Sequence, residues 1–397
     1  MELDILKKAR DFANQIQETD IQAFLLKNQK KIEHHLLRLI ADQWIARQKA
    51  RFKLPEWYAN AEVIFPPPLS VEQASSAVTA TYKADIFASP SYNTIADLTG
   101  GMGIDTCAFA RTHKQVMYIE RNPAVACVAA HNFAALGYNN IKVANQEASD
   151  FLKTETLLAQ THFYLDPARR DTAQNKVFKI EDCEPDLLSI KAVLGEYMVK
   201  YSPMLDIKLA IEQLKGIGQI HVVAVENEVK ELLFLSRAAS DTPQITCVNF
   251  LADATRQSFV FDYATEQAAS TTYVLPQKYI YEPNAAILKA GAFKSIAQVF
   301  GLNKLAPNSH LYTADTLMAG FPGRVFECEA VCKFDKKEIL SKLPYNQANI
   351  TTRNFPIKPD EIRKKLGIKD GGDTYLLATE NYQHQKIVLV CKKILNL

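Results

Sequence analysis

The chain predicts an α/β fold: a helical N-terminal region, an open and mostly parallel sheet, and a smaller α+β module at the C-terminus. Three observations carry that prediction. Short apolar runs alternate with helical patterns from Thr94 to about Tyr263, as in a parallel sheet with crossover helices. A glycine-rich turn, I-A-D-L-T-G-G-M-G-I-D from Ile95 to Asp105, joins the first run to a helix start. Carboxylates close three of the runs, at Asp97, Glu120 and Asp166, and ligands of open α/β sheets bind outside the carboxyl ends of the strands.

Residues 1 to about 55 read as helices. Thr19-Asp20-Ile21-Gln22 has the form of a capping box. Leu37, Ile40, Ala41, Trp44 and Ile45 recur at one-face helical spacing. Eight basic residues lie between Lys27 and Lys53 (Lys27, Lys30, Lys31, Arg38, Arg47, Lys49, Arg51, Lys53), with His34 and His35 among them. They form either a solvated helix surface or a phosphate-binding face. Pro66-Pro67-Pro68 predicts an extended linker, and Ser70 is expected to cap the helix that follows. The segment through Tyr82 and Lys83 leads into the first strand; it either folds over the crevice and touches substrate or packs plainly.

Strands are expected at Thr94–Leu98, Gln115–Glu120, Ile141–Ala144, His162–Leu165, Ile220–Glu226, Ile245–Leu251 and Ser258–Asp262, the last two as an antiparallel hairpin. Asn122 caps the second helix, Pro123 takes its first turn and Gly137 ends it. Beyond Tyr273 come a strand at Tyr279–Pro283, a helix from Asn284 to about Phe300, and strands near His310–Thr313 and at Arg324–Cys332. Helices follow near Lys336–Leu343 and Asp360–Leu366, with strands at Asn349–Asn354, Thr374–Ala378 and Lys386–Cys391. The domains so read are 1–84 helical, 85–275 the main sheet, 276–320 a small α+β segment and 321–397 a terminal module.

Composition narrows the function. A net charge of +2 rules out a global basic field, so nucleic-acid affinity must come from local patches. No apolar stretch approaches the roughly 18 residues of a membrane span. The seven cysteines are scattered without a C-x-x-C, which predicts reduced thiols in a cytoplasmic protein rather than a disulfide frame. Cys328 and Cys332, four apart in a strand, are expected on one face. No histidine joins them, and no metal site is expected.

The glycine turn suits either a dinucleotide or S-adenosylmethionine (SAM). The dinucleotide fingerprint wants a third small residue, and Thr106 stands there instead. Asp97 before the turn would repel a pyrophosphate but attract the cationic amino and sulfonium groups of SAM. Glu120 follows Asp97 at a spacing that suits a carboxylate gripping ribose hydroxyls. Thr99, Gly100, Gly101, Gly103 and Arg121 complete the candidate cofactor set. After the third strand, Glu147 and Ala148 are expected beside the adenine, or else are ordinary turn residues. At the fourth strand end, L-D-P-A-R-R-D places Asp166 and the Pro167 carbonyl to hold the N–H groups of an acceptor amine, so that its lone pair faces the methyl group. Arg169 and Arg170 suit a phosphate or a stacked base, or pair with Asp171 or Glu181.

These residues resemble the class I SAM-dependent methyltransferases: D-L-T-G-G-M-G-I-D is similar to their first motif, Y-I-E-R-N-P to the second and L-D-P-A-R-R to the fourth. The chain also resembles a narrower bacterial group with a ferredoxin-like insert and a C-terminal THUMP-like domain. Leu69–Ala84, L-D-P-A-R-R-D, Y-E-P-N-A-A-I-L-K-A-G (Tyr281–Gly291) and F-P-G-R-V-F (Phe321–Phe326) carry that likeness. It implies a Rossmann-like sheet of seven strands and, because THUMP domains bring RNA to modification enzymes, an RNA partner. The expected activity is methylation of a base amino group in RNA, with Asp166, Pro167 and Arg169 at the reacting centre and Arg170, Lys83 and Tyr82 on the substrate. Methylation of a small molecule or protein, and a binding module without turnover, stay open beside it. Amine-methylating relatives read D-P-P-Y at this point; here Ala168 and Arg169 replace the second proline and the aromatic.

Overall fold

A computed structural model describes residues 2–16, 21–154, 160–169, 180–253 and 255–394. The chain forms two compact units, one of Met1–Lys215 with Phe234–Arg237, the other of Gly216–Leu233 with Ala238–Leu397.

In the first unit the helices Glu2–Gln15 and His34–Lys53 pack through Ala9, Ala13, Leu36 and Ile40. The buried face of the longer helix is Leu36, Leu37, Ile40, Gln43, Ala46 and Ala50. It is turned from the expected face, leaving Ala41, Trp44 and Ile45 half-buried. Gln43 explains the turn. Its amide donates to the Phe65 carbonyl (2.6 Å) and accepts from the Phe65 N–H (2.9 Å), so a polar side chain is satisfied inside the packed face. Part of the basic run is structural: Arg47 holds the Asn60 and Tyr58 carbonyls, Lys53 those of Val71 and Glu72, and Lys49 meets the Glu72 carboxylate. Lys27, Lys30, Lys31, Arg38 and Arg51 remain exposed. Thr19 and Asp20 lie outside the described residues. Ser70 is not a cap; Pro68–Gln73 is itself helical. The cap is Ser76, in a reciprocal box with Thr79 at the start of Ala77–Phe87.

The unit's sheet contains β1 (Thr94–Asp97), β2 (Gln115–Ile119), β3 (Ile141–Ala144), β4 (Thr161–Leu165) and β7 (Tyr197–Tyr201), after a two-residue pair, β5 (Ala168–Arg169) and β6 (Cys183–Glu184). The main strands run in parallel in the order β3-β2-β1-β4-β7. Every residue of β4 is buried, as suits an interior strand of a parallel sheet. Asn122 caps Pro123–Ala135 through the N–H groups of Ala124 and Val125.

Within β4, fully buried His162 is stacked between Phe87 (4.3 Å) and Tyr92 (3.9 Å). Its Nε2 meets Glu196 at 3.1 Å, and Arg237 donates to the same carboxylate at 2.9 Å. Burial, with Arg237 and His113 nearby, holds the imidazole down at about 4 against the pull of Glu196.

The second unit contains β8 (Gln219–Val225), β9 (Glu228–Leu235), β10 (Gln244–Phe250) and β11 (Arg256–Phe261). The last two residues of β9, Phe234 and Leu235, belong to the first unit. β10 is parallel to β8 and forms the expected antiparallel hairpin with β11. A seven-strand reading misses β7 and β9. The β8–β9 turn has both central residues, Glu226 and Asn227, at positive φ (50° and 64°), a geometry normally announced by glycine.

The unit's other sheet has β12 (Tyr279–Pro283), β13 (Asn303–Lys304), β14 (Tyr312–Ala314), β15 (Gly323–Lys333), β16 (Asn349–Arg353), β17 (Thr374–Glu380) and β18 (Lys386–Lys393), in the order β13-β14-β12-β15-β18-β17-β16. One face packs Ile339, Ile362 and Leu366 of the helices Lys336–Lys342 and Pro359–Leu366. The helix expected from Asn284 to Phe300 is two, Ala285–Ala290 and Ser295–Phe300, broken at Gly291, whose φ is +82°. Cys328 and Cys332 lie on opposite faces, because a bulge between Cys328 and Ala330 reverses the alternation of β15. All seven cysteines are free. Among the described residues no helix is long and apolar enough to cross a membrane, and no cluster of His, Cys, Asp or Glu could hold a metal.

The His162 site generates a pH prediction. Its folded value lies below the ordinary one, so the unfolded chain takes up the proton first. Stability is therefore lost as pH falls from about 6.5 toward about 4, and this contribution levels off below. His162→Phe, which stacks without titrating, is expected to reduce the slope of urea midpoint against pH in that window. An unchanged slope rules out His162 as a source.

Candidate functional site

The glycine turn is clamped against β2. Gly100 N–H donates to the Ile119 carbonyl (2.8 Å), the Tyr118 hydroxyl to the Gly101 carbonyl (2.6 Å), and Gly101 N–H to Glu120 Oε2 (3.0 Å). A methyl group at Gly100 would lie 2.2 Å from the Tyr118 ring, and one at Gly103 2.5 Å from Phe133. Glycine is thus required there by space, and at Gly103 also by a φ of +87°. The second oxygen of Glu120 accepts the Asn122 N–H at 2.8 Å, so this carboxylate is fixed from both sides.

Two acids lie behind the turn. Asp97 is only 1% exposed. Its oxygens accept the Thr106 hydroxyl (2.6 Å) and the Thr99 N–H (3.1 Å). Thr106, which breaks the dinucleotide fingerprint, is therefore the residue that satisfies Asp97. Burial raises Asp97 to about 7; neighbouring Asp105 and Asp166 add to the rise, and the bonds from Thr106 and Thr99 oppose it. Asp105 is buried too, and burial pushes it up, but the charges of Lys83 and Lys200 and the hydroxyls of Tyr164 and Ser75 bring it below the usual range. Tyr164 donates to it at 2.7 Å, Ser75 at 3.0 Å, and the fully buried Lys83 ammonium stands 3.2 Å away.

The Thr99 hydroxyl links these acids to the fourth strand by accepting the Asp166 N–H at 2.6 Å. Asp166 itself ion-pairs with Lys200 of β7. Above the strand ends lies a cavity of about 510 Å³. Thr99, Gly101, Glu120, Arg121, Glu147, Ala148 and Asp166 all line it, so the structure brings together seven of the residues singled out in the sequence. Asp97, Gly100 and Gly103 sit beneath or beside it and shape the turn rather than its surface. Tyr82 and Lys83 are buried, the latter against Asp105, and do not line it. Pro167 is buried and Ala168 lines the wall. Arg169 pairs its backbone with Cys183, and Arg170 lies outside the described residues.

The sequence reading missed the far wall. Glu184, Pro185, Asp186, Ser189 and Ile190 enclose the cavity on the side of Asp166, and Arg121 reaches Glu184 at 3.2 Å. It also missed Lys200, one residue past the Leu165↔Val199 pairing of β4 and β7. The lining is acidic, with Glu120, Glu147, Asp166, Glu184 and Asp186. Such a field favours a cationic ligand and disfavours a pyrophosphate.

The chain is similar to known proteins along its whole length. Its residues 279–322 match a family model described as a ferredoxin-like domain, and 323–393 one described as THUMP domain-like. It is 24% identical over 348 residues to an uncharacterized S-adenosylmethionine-dependent methyltransferase of Mycobacterium tuberculosis strain H37Rv, covering 83% of this chain and 89% of that one. The crystal structure of a provisionally assigned methyltransferase from Porphyromonas gingivalis W83 superposes with a TM-score of 0.88 at 34% identity, covering 99% of both chains. With the glycine turn, the acids at the strand ends and both C-terminal modules in place, the chain belongs to the SAM-dependent methyltransferases that carry a ferredoxin-like and a THUMP-like domain.

Proposed function

We propose that this methyltransferase acts on a base amino group in RNA and works in the cytosol. The observation that carries the chemistry is the Lys200–Asp166 ion pair at the cavity wall. The THUMP-like match and the exposed Lys27, Lys30, Lys31 and Arg38 support an RNA substrate. Seven free cysteines suit a reducing compartment.

The residues present fit SAM. Gly101 gives backbone access, Glu120 is fixed at the cavity and available to the ribose hydroxyls, and Glu147 and Ala148 line the cavity and are available to the adenine. The negative charge of Asp97 beneath the turn suits a cation above it. When bound, SAM supplies an electrophilic methyl group. Lys200 ion-pairs with one oxygen of the Asp166 carboxylate, leaving the other to accept an N–H from the acceptor. The Thr99 hydroxyl fixes the Asp166 backbone, so the acid that grips the amine and the turn that grips the cofactor move as one. The wall at Glu184–Ile190 limits what enters beside Asp166.

Three outcomes follow. SAM affinity is expected to weaken as pH falls through about 7, where Asp97 takes up a proton, and Asp97→Asn should bind weakly with little pH dependence. Calorimetry across that range checks this; pH-independent wild-type binding contradicts it. Asp166→Ala should lower methylation by about 100-fold or more while SAM binding changes little, in the range of lost positioning or proton-handling groups; full activity in this variant rules out the acceptor role. Mass spectrometry of nucleosides in RNA from cells with and without the protein should show one methylated base missing in its absence. An identical nucleoside profile moves the substrate to a small molecule or protein.

A further inference from the structure

Two sequence segments, Y-E-P-N-A-A-I-L-K-A-G and F-P-G-R-V-F, take no part in the cavity. The second unit shows what they build. Glu282 of β12 pairs in register with Arg324 of β15, and its carboxylate is 1% exposed. Arg324 Nε donates to Oε2 at 2.7 Å, and its Nη2 meets the same oxygen. Arg353 of β16 approaches Oε1 at 2.8 Å. Arg324 also donates to Thr351 Oγ1 at 3.3 Å, so the far edge strand curls back to this point. A methyl group on Gly323 would lie 2.1 Å from the Glu282 carbonyl oxygen, so glycine alone permits the approach.

We propose that Arg324 and Arg353 form a phosphodiester-binding site for the RNA backbone, an inference that rests on the RNA reading above. One arginine suffices to neutralise a buried carboxylate. A second beside it adds desolvation cost without a second negative charge, which weighs against a purely stabilising role. Two guanidiniums against one carboxylate leave a net positive charge. They are 30% and 33% exposed, so part of each side chain is open to solvent. Arg353 Nε is buried with no hydrogen-bond partner. The positive charge is felt nearby: His310, stacked on Phe293 at 3.7 Å, is held down at about 4 by burial and then by Lys304 and Arg353, against Glu266, and so stays neutral beside the pair. Arg353 Nη1 reaches only the Thr352 carbonyl, at 3.5 Å, and Arg324 uses Nε and Nη2 on Glu282 and Thr351, so each part-exposed guanidinium keeps donor capacity that suits the oxygens of a phosphate.

The test uses the full chain and a mixed-sequence single-stranded RNA oligonucleotide. Arg353→Gln is expected to weaken binding about tenfold and to lower the slope of log affinity against log salt by about one. Arg353→Lys, which keeps the charge and loses the fork, should fall between. Phenylglyoxal footprinting of the wild-type protein needs no variant: bound RNA should protect Arg324 and Arg353, as read by peptide mass spectrometry. Salt-sensitive RNA binding with both arginines still modified, or with a folded Arg353→Gln chain binding as wild type, overturns the site and leaves the RNA reading standing. No RNA binding by the wild-type chain overturns the RNA reading and the site with it.

Discussion

Charge balance behind the glycine turn is the constraint on which the first unit depends. Asp105 and Asp166 lie close enough to Asp97 to add to its rise, and Asp97 and Asp105 are both buried. Buried carboxylates of like charge do not stay ionised together without partners. The partners come from distant parts of the chain: Lys83 from the helix before the sheet and Lys200 from β7. The N-terminal helices thereby join the catalytic unit through a buried ion pair as well as through packing. A residue expected to touch substrate, Lys83, proves instead to keep the acids behind the turn in order.

That arrangement divides the acids by role. Asp105 is neutralised and supports the fold, Asp97 is left poised near neutrality, and Asp166 reaches the cavity under the grip of Lys200. Thr99 stands between the last two and gives them a common backbone frame. The two acids thus differ in setting, one buried beneath the turn and one at the cavity wall, though they sit at ends of adjacent strands.

Much of this was legible in the sequence, and what was not has physical causes. The turn, Glu120, Glu147 and Asp166 were readable because sheet-edge chemistry lies in short local motifs. The cap at Asn122 was readable because capping involves neighbours only. Lys200 was hidden because its meaning depends on β7 pairing with β4, a long-range fact. β9 was hidden because E-V-K-E-L-L-F-L shows no clean alternation and the Glu226–Asn227 turn lacks glycine. Cys328 and Cys332 parted because a single bulge reverses parity, and no composition rule announces a bulge. Ser70 lost the cap to Ser76 because three prolines were read as a linker, whereas Pro68 is well placed to begin a helix.

The boundary between the two C-terminal family matches falls between residues 322 and 323, in the middle of a single piece of architecture. β15 begins at Gly323 and hydrogen-bonds to β12 of the preceding match, and the acid that neutralises Arg324 and Arg353 is supplied from β12. A chain ending at 322 would present the bare edge of β12 to solvent, an open template for strand addition by another molecule. It would also strip Glu282 of both its arginine partners. The two modules carry separate names but share one sheet, so removing either would leave half a sheet with an open edge.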